Sequence, residues 1–187
     1  MVKNVLVVVD MQKDFIDGAL GSDMAKAIVE NVNKKIKEAE KKEDYIIFTR
    51  DTHEDNYMET EEGKNLPVPH CIYKTEGWEI SKDLHIPEKA KVINKNTFGS
   101  YYLGNFLKDV MGNKLVMFDK IELVGLCTDI CVLANAVISK TFIPNTHIVV
   151  DASCCAGVST KSHDVALEAM KTLQIEVINQ GKEPWRG

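Results

Sequence analysis

Four places in the chain carry side chains capable of chemistry, and each follows a short apolar run. Asp10 ends Val5-Leu6-Val7-Val8-Val9, and Asp51-Thr52-His53 comes just after Tyr45-Ile46-Ile47-Phe48. Lys95 follows Lys91-Val92-Ile93, and Thr128 to Cys131 follow Ile121-Glu122-Leu123-Val124-Gly125. A thiol, a carboxylate and a cation make a complete set for acyl transfer: one attacks, one carries the proton, one balances charge. Cys131 is expected in the first turn of a helix, where backbone N–H groups and partial positive charge lower a thiol pKa and can hold an oxyanion. Lys95 near Asp10 and Cys131 would favour the ionised forms of both. Taken singly, Asp10 could cap a turn, Cys131 could be packing material and Lys95 a surface lysine. Their shared place at the ends of apolar runs is what joins them. No histidine is evidently paired with Cys131, which weighs against a Cys-His arrangement.

Asp51 and His53 lie two apart in an extended segment, so they face the same way and can share one ion. With His70, in Pro67-Val68-Pro69-His70-Cys71, they supply a carboxylate and two imidazoles with positions left open. That donor set suits Zn²⁺, with Mn²⁺ or Fe²⁺ as alternatives. Cys71 is left out, because adjacent residues point apart. His85, His147 and His163 fall outside these motifs and are expected at the surface or as caps.

The elements that must position these groups alternate. The run Val5 to Val9 suits a strand buried on both faces. Ser22 is a plausible N-cap for a helix whose apolar stripe is Ala25, Ile28, Val29, Val32, Ile36 and Ala39. Further strands are expected over Tyr45 to Phe48, Lys91 to Ile93, Ile121 to Gly125, His147 to Asp151 and Ile175 to Ile178. Helices are expected over Gly99 to Val110, about Asp129 to Lys140 and Thr160 to Thr172, while Lys114 to Phe118 is ambiguous. The Asp129 to Lys140 helix is apolar on nearly all sides and is expected to be deeply buried. Strands alternating with helices imply a doubly wound α/β fold, whose ligands sit at the carboxyl ends of the strands near a switch in strand order.

The chain has 187 residues, 44% of them apolar and 27% charged, which suits one globular domain over 1–187. A net charge of -5 and the mixing of Lys34, Lys35 and Lys37 with Glu30, Glu38 and Glu40 give no nucleic-acid surface. The apolar stretch from Val2 to Asp10 is too short to span a membrane and has no cleavage pattern of a signal peptide. Five cysteines without a secreted disulfide spacing favour a reducing, cytoplasmic setting, with the adjacent Cys154 and Cys155 as buried small hydrophobes.

Val8-Val9-Asp10-Met11-Gln12-Lys13-Asp14-Phe15, then Lys95, then Gly125-Leu126-Cys127-Thr128-Asp129-Ile130-Cys131-Val132 resembles the isochorismatase-like cysteine hydrolases, a family that includes nicotinamidases. The resemblance runs through nearly the whole chain. It implies a six-stranded parallel sheet with helices on both faces, in three α/β/α layers, and a triad of Asp10, Lys95 and Cys131. It also implies a cis peptide before Cys127, with the N–H groups of Cys127 and Cys131 aimed at the oxyanion. By the same likeness Asp51, His53 and His70 are metal ligands, and Glu62 is similar to a fourth carboxylate that some members use, with Glu59 and Glu61 competing for that role. Phe15 and Phe98 line the substrate pocket by the same likeness, and a homo-oligomer is the expected assembly. The reaction it implies is hydrolysis of a small amide, nicotinamide first, through a thioester. One departure bears on the substrate: Leu66-Pro67-Val68-Pro69 holds no aromatic where several nicotinamidases place one, unless Trp78 or Tyr73 compensates. Another small amide, or a carbamoyl or ureido compound, therefore stays open. Two rivals of other classes are a binding module of the same fold without turnover and a thiol-redox protein using Cys127 and Cys131. The second is weakened by a three-residue separator in place of the C-x-x-C spacing.

Overall fold

The computed structural model describes residues 2–112 and 117–186. Six parallel strands, β1 (Val2–Val9), β2 (Tyr45–Asp51), β3 (Lys91–Lys95), β4 (Met117–Leu126), β5 (His147–Ala156) and β6 (Glu176–Ile178), form one sheet in the order β3-β2-β1-β4-β5-β6. The chain runs outward from β1 to β3, then returns to lay β4 on the other side of β1. That reversal puts the switch point between β1 and β4, where such sheets hold ligands. Each apolar run identified in the sequence is a strand. Several are longer than their runs: β5 continues through Cys154 and Cys155, which are buried as expected. Of the ambiguous stretch Lys114 to Phe118, residues 114–116 lie outside the described residues, and Met117 and Phe118 begin β4.

The alternation of side chains along β1 divides the core. Val5, Val7 and Val9 face one cluster, while Leu6 and Val8 face the other. On the second face lies α2 (Asp23–Lys41), burying Ala25, Ile28, Val32, Ile36 and Ala39 at helical spacing. Ser22 caps it, with the Ala25 N–H donating to Oγ at 3.0 Å. The short α1 (Lys13–Ile16) precedes it and α3 (Glu61–Asn65) follows β2. The first face is covered by α4 (Tyr101–Gly112), α5 (Leu133–Phe142) and α6 (Thr160–Thr172). The all-round apolar helix is only partly buried. Asn135, Ala136 and Ser139 of α5 face inward, whereas Leu133, Ala134, Val137 and Ile138 are half-buried, because α4 and α6 flank α5 and leave its outer side partly open. Gly125 is required where β4 meets β1: its φ is +119°, and a Cβ there would stand 2.2 Å from the Val9 carbonyl oxygen. Among the described residues, no helix is long and apolar enough to cross a membrane.

Candidate active site

Parallel strands deliver their last residues to one edge of the sheet, and here that edge collects the chemistry. Asp10 leaves β1 with φ of +47°, a left-handed turn that Asp tolerates better than most residues. Its Oδ1 accepts from Thr49 Oγ1 at 2.7 Å. Its Oδ2 lies 2.7 Å from Lys95 Nζ, an ion pair at close range. The ammonium approaches off the hydrogen-bonding direction, so this fully buried oxygen has no directed hydrogen bond. Lys95, at the tip of β3, also reaches Asp51 Oδ1 at 3.2 Å and Cys131 Sγ at 3.6 Å. All three sequence candidates meet in one buried cluster.

Cys131 does not sit in an ordinary helix turn. Residues Thr128–Val132 form a π-turn ahead of α5, in which the Val132 N–H donates to the Cys127 carbonyl at 3.0 Å. The peptide between Leu126 and Cys127 is cis, as the family likeness implies.

Two electrostatic expectations are corrected. Burial, then the negative charge of Asp10, push the Cys131 thiol well above its ordinary pKa, and Lys95 and the helix end do not offset this. Burial likewise raises Asp10 despite the pull of Lys95. The same burial works against the Lys95 ammonium, but Asp10, Cys131 and Asp51 outweigh it, so the lysine stays charged. The resting cluster is thus a neutral thiol beside a carboxylate with raised proton affinity.

Next to it lie the donors predicted from Asp-x-His. One ligand atom each from Asp51, His53, Glu62 and His70 falls within 4.8 Å of the others. His53 Nε2 is 3.1 Å from Asp51 Oδ2, and His70 Nε2 is 3.8 Å from Glu62 Oε1. His70 Nδ1 donates to the Val68 carbonyl at 2.8 Å, which leaves Nε2 with a free lone pair. Two imidazoles and two carboxylates converging in this way fit a divalent ion, and a backbone carbonyl holding the other ring nitrogen, as Val68 does for His70, is common for a metal-binding imidazole. Glu62 is the acid that joins, because Thr60 caps α3 and turns Glu62 inward while Glu59 and Glu61 stay exposed. A cavity of about 540 Å³ opens beside this group, bordered by His53, Glu62, Lys95, Asn96 and Tyr102.

Several supporting residues escaped the sequence reading. Gln12 is fully buried and clamps the tip of β2: its Oε1 accepts from the Asp51 N–H at 2.6 Å, and its Nε2 donates to the Asp51 carbonyl at 2.8 Å. Tyr57 packs its ring 4.7 Å from His53 and 5.0 Å from His70. Phe15 lies 5.4 Å from His70, beside the donors, whereas Phe98 is 49% exposed and joins no ring cluster among the described residues. Trp78 is turned to Thr52, donating from Nε1 at 2.9 Å, with Arg50 stacked on its face and Tyr73 at its edge. His85 and His147 are exposed as expected, and each has a glutamate partner, Glu40 and Glu176, that the sequence did not reveal. His163 corrects the expectation for the third: it is fully buried, because α6 packs it against Thr128 and Glu183.

The chain belongs to the isochorismatase family, whose domain model matches residues 4–181. It is 28% identical over 185 residues to a nicotinamidase/pyrazinamidase of Mycobacterium tuberculosis, covering 92% of this chain and 97% of that protein. It is 27% identical to a nicotinamidase of Schizosaccharomyces pombe, covering 96% and 94%. Among solved structures, a pyrazinamidase of Pyrococcus horikoshii in complex with zinc superposes with a TM-score of 0.81 at 28% identity, covering 94% and 98%.

Proposed function

We propose that this chain hydrolyses a small amide, nicotinamide or a close relative, with Cys131 as nucleophile. The observation that carries the reading is the meeting of Asp10, Lys95 and Cys131, widely separated in sequence, in one buried cluster beside the four metal donors. The chain is an amidohydrolase of the nicotinamidase-like kind.

Asp10, with raised proton affinity and an oxygen free of directed hydrogen bonds, takes the thiol proton as the sulfur attacks the amide carbon. A C–S bond forms, and the carbonyl π pair moves onto oxygen, where the N–H groups of Cys127 and Cys131 receive it. Collapse breaks the C–N bond, and Asp10 returns its proton to the departing ammonia. Water, deprotonated by Asp10, then opens the thioester and regenerates the thiol. Lys95 stays protonated throughout and keeps Asp10 and the sulfur in register.

Asp51, His53, His70 and Glu62 would hold a divalent ion, zinc first, with manganese or iron as alternatives. Bound there, it supplies a Lewis-acid attachment point for a ring nitrogen of the substrate. Phe15 lies beside these donors and suits the wall of a ring-binding pocket. We expect a homo-oligomer in a reducing, cytoplasmic setting, with neither nucleic acid nor membrane as partner.

A thiol-redox role is less suited to this site. Burial pushes Cys127 up to about 12, and Cys131 is the thiol that has a base and a cation beside it.

The test is ammonia release from nicotinamide, pyrazinamide and a set of carbamoyl and ureido compounds, with and without chelator. Turnover of the pyridine and pyrazine amides, lost in chelator and restored by one divalent metal, is the expected result. Activity confined to ureido compounds would move the substrate class while keeping the cysteine chemistry. No ammonia from any of them would remove the reading.

A further inference from the structure

Behind the catalytic turn lies a buried imidazole that the mechanism does not use. His163, on α6, and Thr128, directly after Cys127, are both fully buried, and Glu183 is 3% exposed. A buried imidazole is costly unless both nitrogens are paired, and here both are. Nε2 lies 3.2 Å from Glu183 Oε1 and Nδ1 lies 2.8 Å from Thr128 Oγ1. A carboxylate only accepts, so Nε2 carries the hydrogen, and Nδ1 of the neutral ring accepts from the Thr128 hydroxyl. Burial pushes His163 below its ordinary value and outweighs Glu183, which agrees with a neutral ring.

The far end of this chain is anchored. Glu183 accepts from the Gly181 N–H at 3.2 Å and pairs with Arg186, which also binds Asp164. Trp185 meets the His163 ring edge to face at 4.9 Å and donates from Nε1 to the Cys155 carbonyl at 3.1 Å. The C-terminal segment is thus pinned to the end of β5 and presents Glu183 to the imidazole. A second tie holds the same turn, the Val158 N–H donating to Asp129 Oδ1 at 3.1 Å.

We propose that His163 is a positioning residue: through the Thr128 hydroxyl, and backed by Glu183, it orients the turn that carries the Cys127 and Cys131 N–H groups. The proposal rests on the reading of those groups as oxyanion donors. His163 touches neither the triad nor the metal donors, so its effect falls on the alignment of the turn and not on substrate binding.

Two pairs of variants separate this from plain packing. An asparagine amide can stand where Nδ1 stands and accept from Thr128; a glutamine amide stands where Nε2 stands and serves Glu183 alone. His163→Gln and Thr128→Val should lower kcat roughly ten- to a hundredfold with KM within about twofold, as misaligned catalytic groups do. Both should also speed hydrogen exchange in residues 127–132. His163→Asn and Thr128→Ser should stay within about threefold of the parent kcat and keep its exchange pattern. Equal losses in the Asn and Gln variants, or exchange raised evenly over the whole chain, would reduce His163 to a packing residue and overturn the proposal. Should His163→Gln fail to fold, the contrast of Thr128→Val with Thr128→Ser decides. If the parent protein releases ammonia from no amide, the proposed function falls, and exchange at residues 127–132 alone decides whether His163 positions the turn.

Discussion

Among the described residues, two charge clusters buried against the sheet differ in whether every carboxylate oxygen is hydrogen-bonded. In the first, Asp10, Lys95 and Asp51 surround a thiol, and one oxygen of Asp10 lacks a directed hydrogen bond. In the second, Lys35 of α2 joins Glu122 of β4 and Asp151 of β5, beside a cavity of about 100 Å³. There Glu122 also accepts from Lys120 at 2.7 Å, and Asp151 accepts from Ser153 Oγ at 2.7 Å and Asn179 Nδ2 at 3.0 Å. Burial raises both carboxyls of the second cluster, but Lys120 and Lys35 with these hydrogen bonds outweigh it, and both end below their ordinary range. Asp10 ends above it. The two clusters differ in balance: at Glu122 and Asp151 the cations and hydrogen bonds outweigh the cost of burial, whereas at Asp10 burial outweighs Lys95 and Thr49 and leaves a carboxyl with raised proton affinity.

Four substitutions or conditions press on that contrast. Cys131→Ala should cut ammonia release roughly a thousandfold or more while leaving thermal stability close to the parent, since the proposed mechanism runs through a bond to that sulfur. Full turnover in that variant would sink the nucleophile assignment. Asp10→Asn keeps the shape and the Thr49 contact but cannot take a proton, so kcat should fall roughly a hundred- to ten-thousandfold in single-turnover assays. Lys35→Met attacks the satisfied cluster instead. It leaves two buried carboxylates short of a cation, and because Lys35 is itself partly exposed the expected loss is about 2 kcal/mol in denaturant titrations. Its kcat should stay within about twofold of the parent, because the site is distant and shares no partner with it. A large kcat loss there would erase the distinction between the clusters.

The smallest effect is in pH. A carboxyl whose folded pKa is depressed adds stability that is complete above its unfolded value and disappears as pH falls through the folded one. For Glu122 and Asp151 the ordinary values are 4.5 and 3.8. The stability gap between the parent and Lys35→Met should therefore be constant near neutrality and narrow below about pH 4. A gap that does not change with pH would show that these carboxyls do not carry the linkage.

Much of the site was readable from the chain alone because parallel strands turn a linear pattern into a place. Chemically capable residues follow the apolar runs of β1, β2, β3 and β4, and a parallel sheet sends all such ends to one edge. That rule brought together Asp10, Asp51, His53, Lys95 and the stretch Thr128 to Cys131; Cys131 was singled out by its expected place at a helix end, His70 by donor chemistry and Glu62 by the family likeness. Tertiary structure decided what depends on distant neighbours. Which of Glu59, Glu61 and Glu62 faces the histidines follows from the capped turn of α3. The sign of the Cys131 and Asp10 shifts follows from burial, which local sequence does not contain. Gln12 and His163 are hydrogen-bonded to partners 39 and 35 residues away, so no local pattern marks them. Periodicity and strand-end chemistry are local and travel with the sequence; dielectric, register and completeness of hydrogen bonding exist once remote segments are packed together.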